Sequence, residues 1–194
     1  MIETQSVPVT EPAVLFRDED GAIHSDFIDR ARGAIESNDS GALRALAGEL
    51  HEADTGELIE ALDPQLRPLF IALMGREFDF TALTEVDDAV REGILDELQP
   101  EAVAEGVRDL DSDDAAHILE DLPRQEQDEI LEQLPSPERI AVERILRYPD
   151  DSAGRLMQAE FIAVPPSWTV GHAIDHMRET ADLPDRDRKS TRLN

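Results

Sequence analysis

A short unit recurs through this chain and leaves little choice of fold. It consists of two aliphatics, two other residues, a Leu, and then Pro, at once or after one residue. The unit appears as Leu58-Ile59…Leu62-Asp63-Pro64, Ile94-Leu95…Leu98-Gln99-Pro100, Ile118-Leu119…Leu122-Pro123 and Ile130-Leu131…Leu134-Pro135. Each Pro stops one helix or opens the next at its first turn, because it lacks an N–H and has a fixed φ. Leu119 and Leu131 lie twelve residues apart, the length of one short helix and a turn. Helices that short bury too little surface to stand alone and must stack on neighbours.

Upstream, Phe27, Ile28, Ala31, Ala34 and Ile35 form one helical stripe, and Leu43, Leu46, Ala47 and Leu50 the next. Ser136-Pro137-Glu138 reads as a helix start with Ser as cap, Pro at the first position and Glu at the positive end. The expected fold class is all-α: a right-handed superhelical stack of short antiparallel helices, α-solenoid-like, with aliphatics inside and carboxylates outside. An incomplete α/β fragment should follow. In it Phe161-Ile162-Ala163-Val164 has strand composition, and Thr169 can cap a helix whose apolar face is Val170, Ala173, Ile174 and Met177.

Charge narrows the function. The chain of 194 residues carries 45 acidic and 18 basic side chains, a formal net charge of −27. That argues against nucleic acid and anionic membrane surfaces and permits divalent cations, which take oxygen ligands. There is no cysteine, so disulfides and thiolate metal sites are excluded and a reducing compartment fits. The first residues lack a basic and an apolar signal region, and the longest apolar run, Leu69–Met74, is too short to span a bilayer. No nucleophile–base constellation or Gly-rich phosphate loop stands out, so an enzyme is not expected.

Three stretches invite a metal. Asp18-x-Asp20-Gly21 resembles a piece of a calcium loop but lacks its remaining ligands, and a turn is the better reading. His172 and His176 have zinc spacing on one helix but no evident third ligand. Asp109-Leu110-Asp111-Ser112-Asp113-Asp114 is different, with four carboxylates in six residues at a helix start. One caps a helix and suits its dipole; four repel one another, which a divalent ion relieves. A solvated acidic cap and a cation site both remain open, with Asp109, Asp111, Asp113 and Asp114 as the candidate ligands.

The segment Leu110-Asp111-Ser112-Asp113-Asp114-Ala115-Ala116-His117-Ile118-Leu119 and the Leu-Pro units resemble the N domain of MgtE-type magnesium transporters. The junction Tyr148-Pro149-Asp150-Asp151-Ser152-Ala153-Gly154-Arg155-Leu156-Met157, followed by Phe161–Val164 and Trp168-Thr169-Val170, resembles the start of that family's first cystathionine-β-synthase (CBS) domain. The implied organisation is an N-terminal arm over 1–25, an N domain over 26–147, a junction and truncated first CBS domain over 148–180, and a disordered, foreign-looking tail over 181–194.

The resemblance implies a homodimeric inner-membrane Mg²⁺ transporter whose cytosolic N and CBS domains sense intracellular Mg²⁺. At high Mg²⁺, ions bridge acidic groups of the two domains and the pore closes. Asp113 and Asp114 fall in the motif that supplies N-domain ligands, and His117 stands where an acid is common. Ser152, Ala153 and Gly154 are the expected hinge, and this part of the chain is expected at the cytoplasmic face. The alternative is a free-standing helical-repeat adaptor or scaffold.

Overall fold

The computed structural model describes residues 15–18, 20–149, 151–158, 162 and 164–180. Among them the architecture is all-helical, and the one piece of β pairing is an isolated antiparallel bridge between Arg17 and Ile23. Phe161 and Ala163 of the expected strand, the tail from residue 181, and residues 1–14 of the arm lie outside the described residues. The chain divides into two compact units at Gln99–Pro100. The sequence reading placed no boundary inside 26–147. The division falls at the second Leu-Pro unit, whose Leu98 is only half-buried.

The N-terminal unit holds α1 (Ser25–Glu36), α2 (Ser40–Ala47), α3 (Glu52–Ala61), α4 (Arg67–Met74) and α5 (Asp88–Leu95), with short 3-10 turns around α4. The stripe of α1 buries Phe27, Ala31, Ala34 and Ile35, while Ile28 is half-buried. Helix α2 packs on α1 and α4, and α3 packs on the 3-10 turn Phe80–Thr84. Gly56 permits that last approach, since a Cβ there would lie 3.0 Å from Glu85 Cβ and 3.2 Å from the Ala82 carbonyl oxygen. Phe78 fills the remaining space edge-on between Phe70 and Phe80.

Ahead of α1, the Asp18 carboxylate accepts from the N–H groups of Asp20 (2.9 Å) and Ala22 (3.0 Å), so the calcium-like stretch is a side-chain-stabilised turn. Arg17 donates to Glu57 at 2.7 Å and to Asp54 on α3. The bond to Glu57 contributes most to holding its pKa above the ordinary guanidinium value.

The C-terminal unit holds α6 (Pro100–Val107), α7 (Ser112–Leu119), α8 (Arg124–Gln133), α9 (Ser136–Leu146) and α10 (Val170–Glu179). Helix α6 packs on α8 and α7 on α9, so these two pairs each skip one helix, and α8 also meets α9. Pro100 opens α6, and Pro123 and Pro135 precede α8 and α9 at φ −53° and −56°. Ser136 is not the cap: Pro135 holds that place, Ser136 starts the helix, and no side-chain capping bond forms. Thr169 does cap α10, its hydroxyl accepting from the His172 N–H at 3.3 Å.

All aliphatics of the four Leu-Pro units are buried except Leu98. Each full burial stabilises by about 1.5–3 kcal/mol. The helix C-termini are closed by a second device. Arg67 donates to the carbonyls of Ile59 (3.0 Å), Leu62 (3.1 Å) and Glu60 (3.1 Å) at the end of α3. Gln127 donates to those of Leu122 (2.7 Å) and Glu120 (3.3 Å) after α7. In both cases the donor stands five residues beyond the unit's Leu and serves carbonyls at the C-terminal end of the preceding helix.

Replacing Leu119, fully buried, with Ala should cost about 2–5 kcal/mol in urea unfolding. Gln127→Ala should cost about 1–3 kcal/mol through its orphaned carbonyls. Ile140→Ala, at a position 62% exposed on α9, should change stability by no more than about 0.5 kcal/mol. Equal costs at Leu119 and Ile140 would contradict this packing.

Candidate functional site

The acidic run lands on the N-terminus of α7. Asp111 is the N-cap residue, extended at φ −61° and ψ 149°, and Ser112, Asp113 and Asp114 form the first turn. The Asp111 side chain makes no capping bond to that turn, so capping does not account for its carboxylate. Ser112 is buried, and the three aspartates around it are half-buried.

Asp111, Asp113 and Asp114 each offer a carboxylate oxygen within 4.8 Å of the other two. Asp109 is exposed in the preceding turn and is not one of this group. Among the described residues no second group of three or more such side chains forms. His172 and His176 accordingly gain no third ligand there, and the His176 ring rests edge-on against Trp168 at 5.2 Å.

The chemistry of this group follows from its donors. Two like charges at 4.8 Å repel by about 1 kcal/mol in bulk water and about 3–4 kcal/mol at a protein-surface dielectric. The positive end of α7 offsets part of this. An all-oxygen, all-anionic set suits a hard divalent cation. With Mg–O bonds of about 2.0–2.1 Å, oxygens around one octahedral ion lie roughly 3–4 Å apart, so the three carboxylates need only modest movement to share one.

One turn on, the helix changes task. His117 Nδ1 lies 2.7 Å from Glu120 Oε1, and Glu120 Oε2 accepts from Arg155 Nε at 3.0 Å. Glu120 is therefore engaged on both oxygens and is not a ligand in waiting. The expected hinge residues sit in consecutive turns: Ser152 donates through N–H and hydroxyl to the Pro149 carbonyl, and the Arg155 N–H to the Ser152 carbonyl. Gly154 accommodates the Tyr148 ring, where a Cβ would lie 2.7 Å from Tyr148 Cδ1. Its φ is not positive, so close approach is the reason for glycine. Sequence reasoning missed Glu120 and Arg155, which are 35 residues apart and carry no joint signal.

Among the described residues no helix is long and apolar enough to cross a membrane. The magnesium transporter MgtE of Bacillus subtilis (strain 168) is 27% identical over 140 residues, covering 72% of this chain and 31% of that protein. The cytosolic domain of the Mg²⁺ channel MgtE, solved in complex with ATP, is similar with a TM-score of 0.65 at 26% identity, over 78% of this chain and 62% of that one. The soluble part of a magnesium transporter is similar in fold, with a TM-score of 0.63 at 21% identity, over 83% and 64% of the two chains. The chain thus spans about a third of its full-length relative and under two thirds of these solved domains. The family of the MgtE intracellular N domain matches residues 50–151, more than half of the 194, and the chain belongs to that family.

Proposed function

We propose that this chain is a Mg²⁺-sensing cytosolic region of an MgtE-type magnesium transporter. The observation that carries the reading is the meeting of Asp111, Asp113 and Asp114 at the α7 N-terminus in a chain of this family. Mg²⁺ keeps much of its hydration shell and usually takes one or two carboxylates from a protein. Asp113 and Asp114, fixed on the first turn of a packed helix, supply those carboxylates; Asp111 lies beside them, and Asp109 adds charge from the preceding turn.

A site of this kind binds weakly alone and better when a second acidic face closes on it. In this reading that face belongs to the CBS domains, of which 148–180 is the start, within a homodimeric transporter. Ion binding and domain closure then favour each other by one shared coupling free energy. Closure at high Mg²⁺ shuts a pore built by the rest of the transporter. Without the ion, the acidic faces repel and the N domain swings away about the junction that holds Ser152, Ala153 and Gly154. The role is regulatory and involves no catalysis.

Thermal unfolding of the chain in MgCl₂ and in NaCl of equal ionic strength tests the site. At Mg²⁺ tenfold above its Kd, the midpoint should rise by an extra 3–6 °C, from about 1.4 kcal/mol of linkage. The Asp113→Asn, Asp114→Asn variant should lose that extra rise while keeping its response to NaCl. Midpoints that follow ionic strength alone would leave a solvated acidic cap.

A second measurement tests closure. In the full-length transporter, protection of residues 148–157 from protease should rise with Mg²⁺ in the wild type and become independent of Mg²⁺ in the double variant. Equal Mg²⁺-dependent protection in both would remove these aspartates from the switch.

A further inference from the structure

We propose that Arg155 is a latch. It joins the junction to the helical body up to its own position, so that the pivot begins at Leu156 rather than at Ser152–Gly154. The motion this confines rests on the regulatory reading above; the latch itself rests on geometry within the C-terminal unit.

The guanidinium is held at two points. Arg155 is 8% exposed; its Nε donates to Glu120 Oε2 at 3.0 Å and its Nη1 to the Ile145 carbonyl at 3.2 Å. Glu120 caps the C-terminus of α7, and Ile145 lies in the last turn of α9. One side chain therefore ties the junction to the ends of two helices that pack on each other. Glu120 is itself oriented from the other side by His117. Removing one partner from an ion pair this buried leaves a poorly solvated charge, so opening the latch is costly.

The intervening backbone has little slack. From Tyr148 to Leu156 the N–H groups of Tyr148, Ser152, Arg155 and Leu156 all donate within the turn, to Ile145, Pro149, Ser152 and Ala153. The Tyr148 ring occupies the space over Gly154.

Burial ends abruptly at the next residue. Leu156 is 74% exposed and Met157 59%, and no described residue from Leu156 onward is buried. Full burial and the ion pair to the helices end at Arg155, so a rotation that spares that pair and the Tyr148 contact takes place in the backbone after it. The latch also fixes the junction to α7, the helix whose opposite end carries the aspartates.

Hydrogen–deuterium exchange on the whole chain, in chelator with no divalent ion, tests the latch apart from the magnesium reading. The amides of Arg155 and Leu156 should exchange at least about tenfold more slowly than those of Met157 and Gln158. Glu120→Gln should erase that difference, with the α8 core amides Ile130 and Leu131 still protected as evidence of folding. Arg155→Lys, which keeps charge but not the two-point fork, should fall between the two. Arg155 and Leu156 amides that exchange as fast as those of 157–158 in the wild type would overturn the proposal with no variant needed. Unchanged protection in Glu120→Gln would also overturn it. Failure of the MgCl₂ experiment with slow exchange here would sink the sensing reading and leave the latch standing.

Discussion

An eight-residue helix is almost all ends. Its first four N–H groups and last four carbonyls have no partner inside the helix, so α7, with eight residues, is set by what surrounds its termini. Much of this structure answers that constraint. Asp39 and Asp79 accept the first N–H groups of their helical turns, and Arg67 and Gln127 reach back to close the ends of α3 and α7. Arg155 serves the Ile145 carbonyl at the end of α9 in the same way. Aliphatic burial drives the stacking, and the polar side chains at the ends let such short pieces remain helical within it.

The candidate site grows out of the same requirement. A helix N-terminus welcomes negative charge, so carboxylates accumulate there at low cost. At α7 they go beyond that need: three converge within 4.8 Å, on a chain already at net −27, and the N-cap carboxylate makes no capping bond. The surplus repulsion is small enough for the fold to tolerate and large enough for a divalent cation to relieve. In the proposed reading it is this relief of repulsion that makes the cluster respond to an ion.

Sequence and structure agree where the physics is local. The Leu-Pro units placed helix ends and buried aliphatics because proline geometry and the helical period act within a few residues. Thr169 was legible as a cap for the same reason, whereas Ser136 yielded to Pro135, whose extended backbone already supplies the N-cap conformation. Asp109 was grouped with the site by adjacency alone; a turn separates it from the three that meet. The Arg67 and Gln127 closures repeat at one spacing, but one is Arg and the other Gln, so residue identity concealed the pattern. The pairing of Glu120 with Arg155 depends on how α7 and the end of α9 pack, which no local rule encodes.

The central claim is that an ion chooses the α7 terminus over the many other carboxylates of a chain at net −27. Mn²⁺, an oxygen-seeking paramagnetic stand-in for Mg²⁺, reports this directly through amide line broadening in the nuclear magnetic resonance spectrum of this chain. At substoichiometric Mn²⁺ the account predicts broadening centred on Asp111–Ala115, reversed by excess Mg²⁺ and absent from the Asp113→Asn, Asp114→Asn variant. Broadening spread evenly over the acidic surface, or unchanged in that variant, would contradict it.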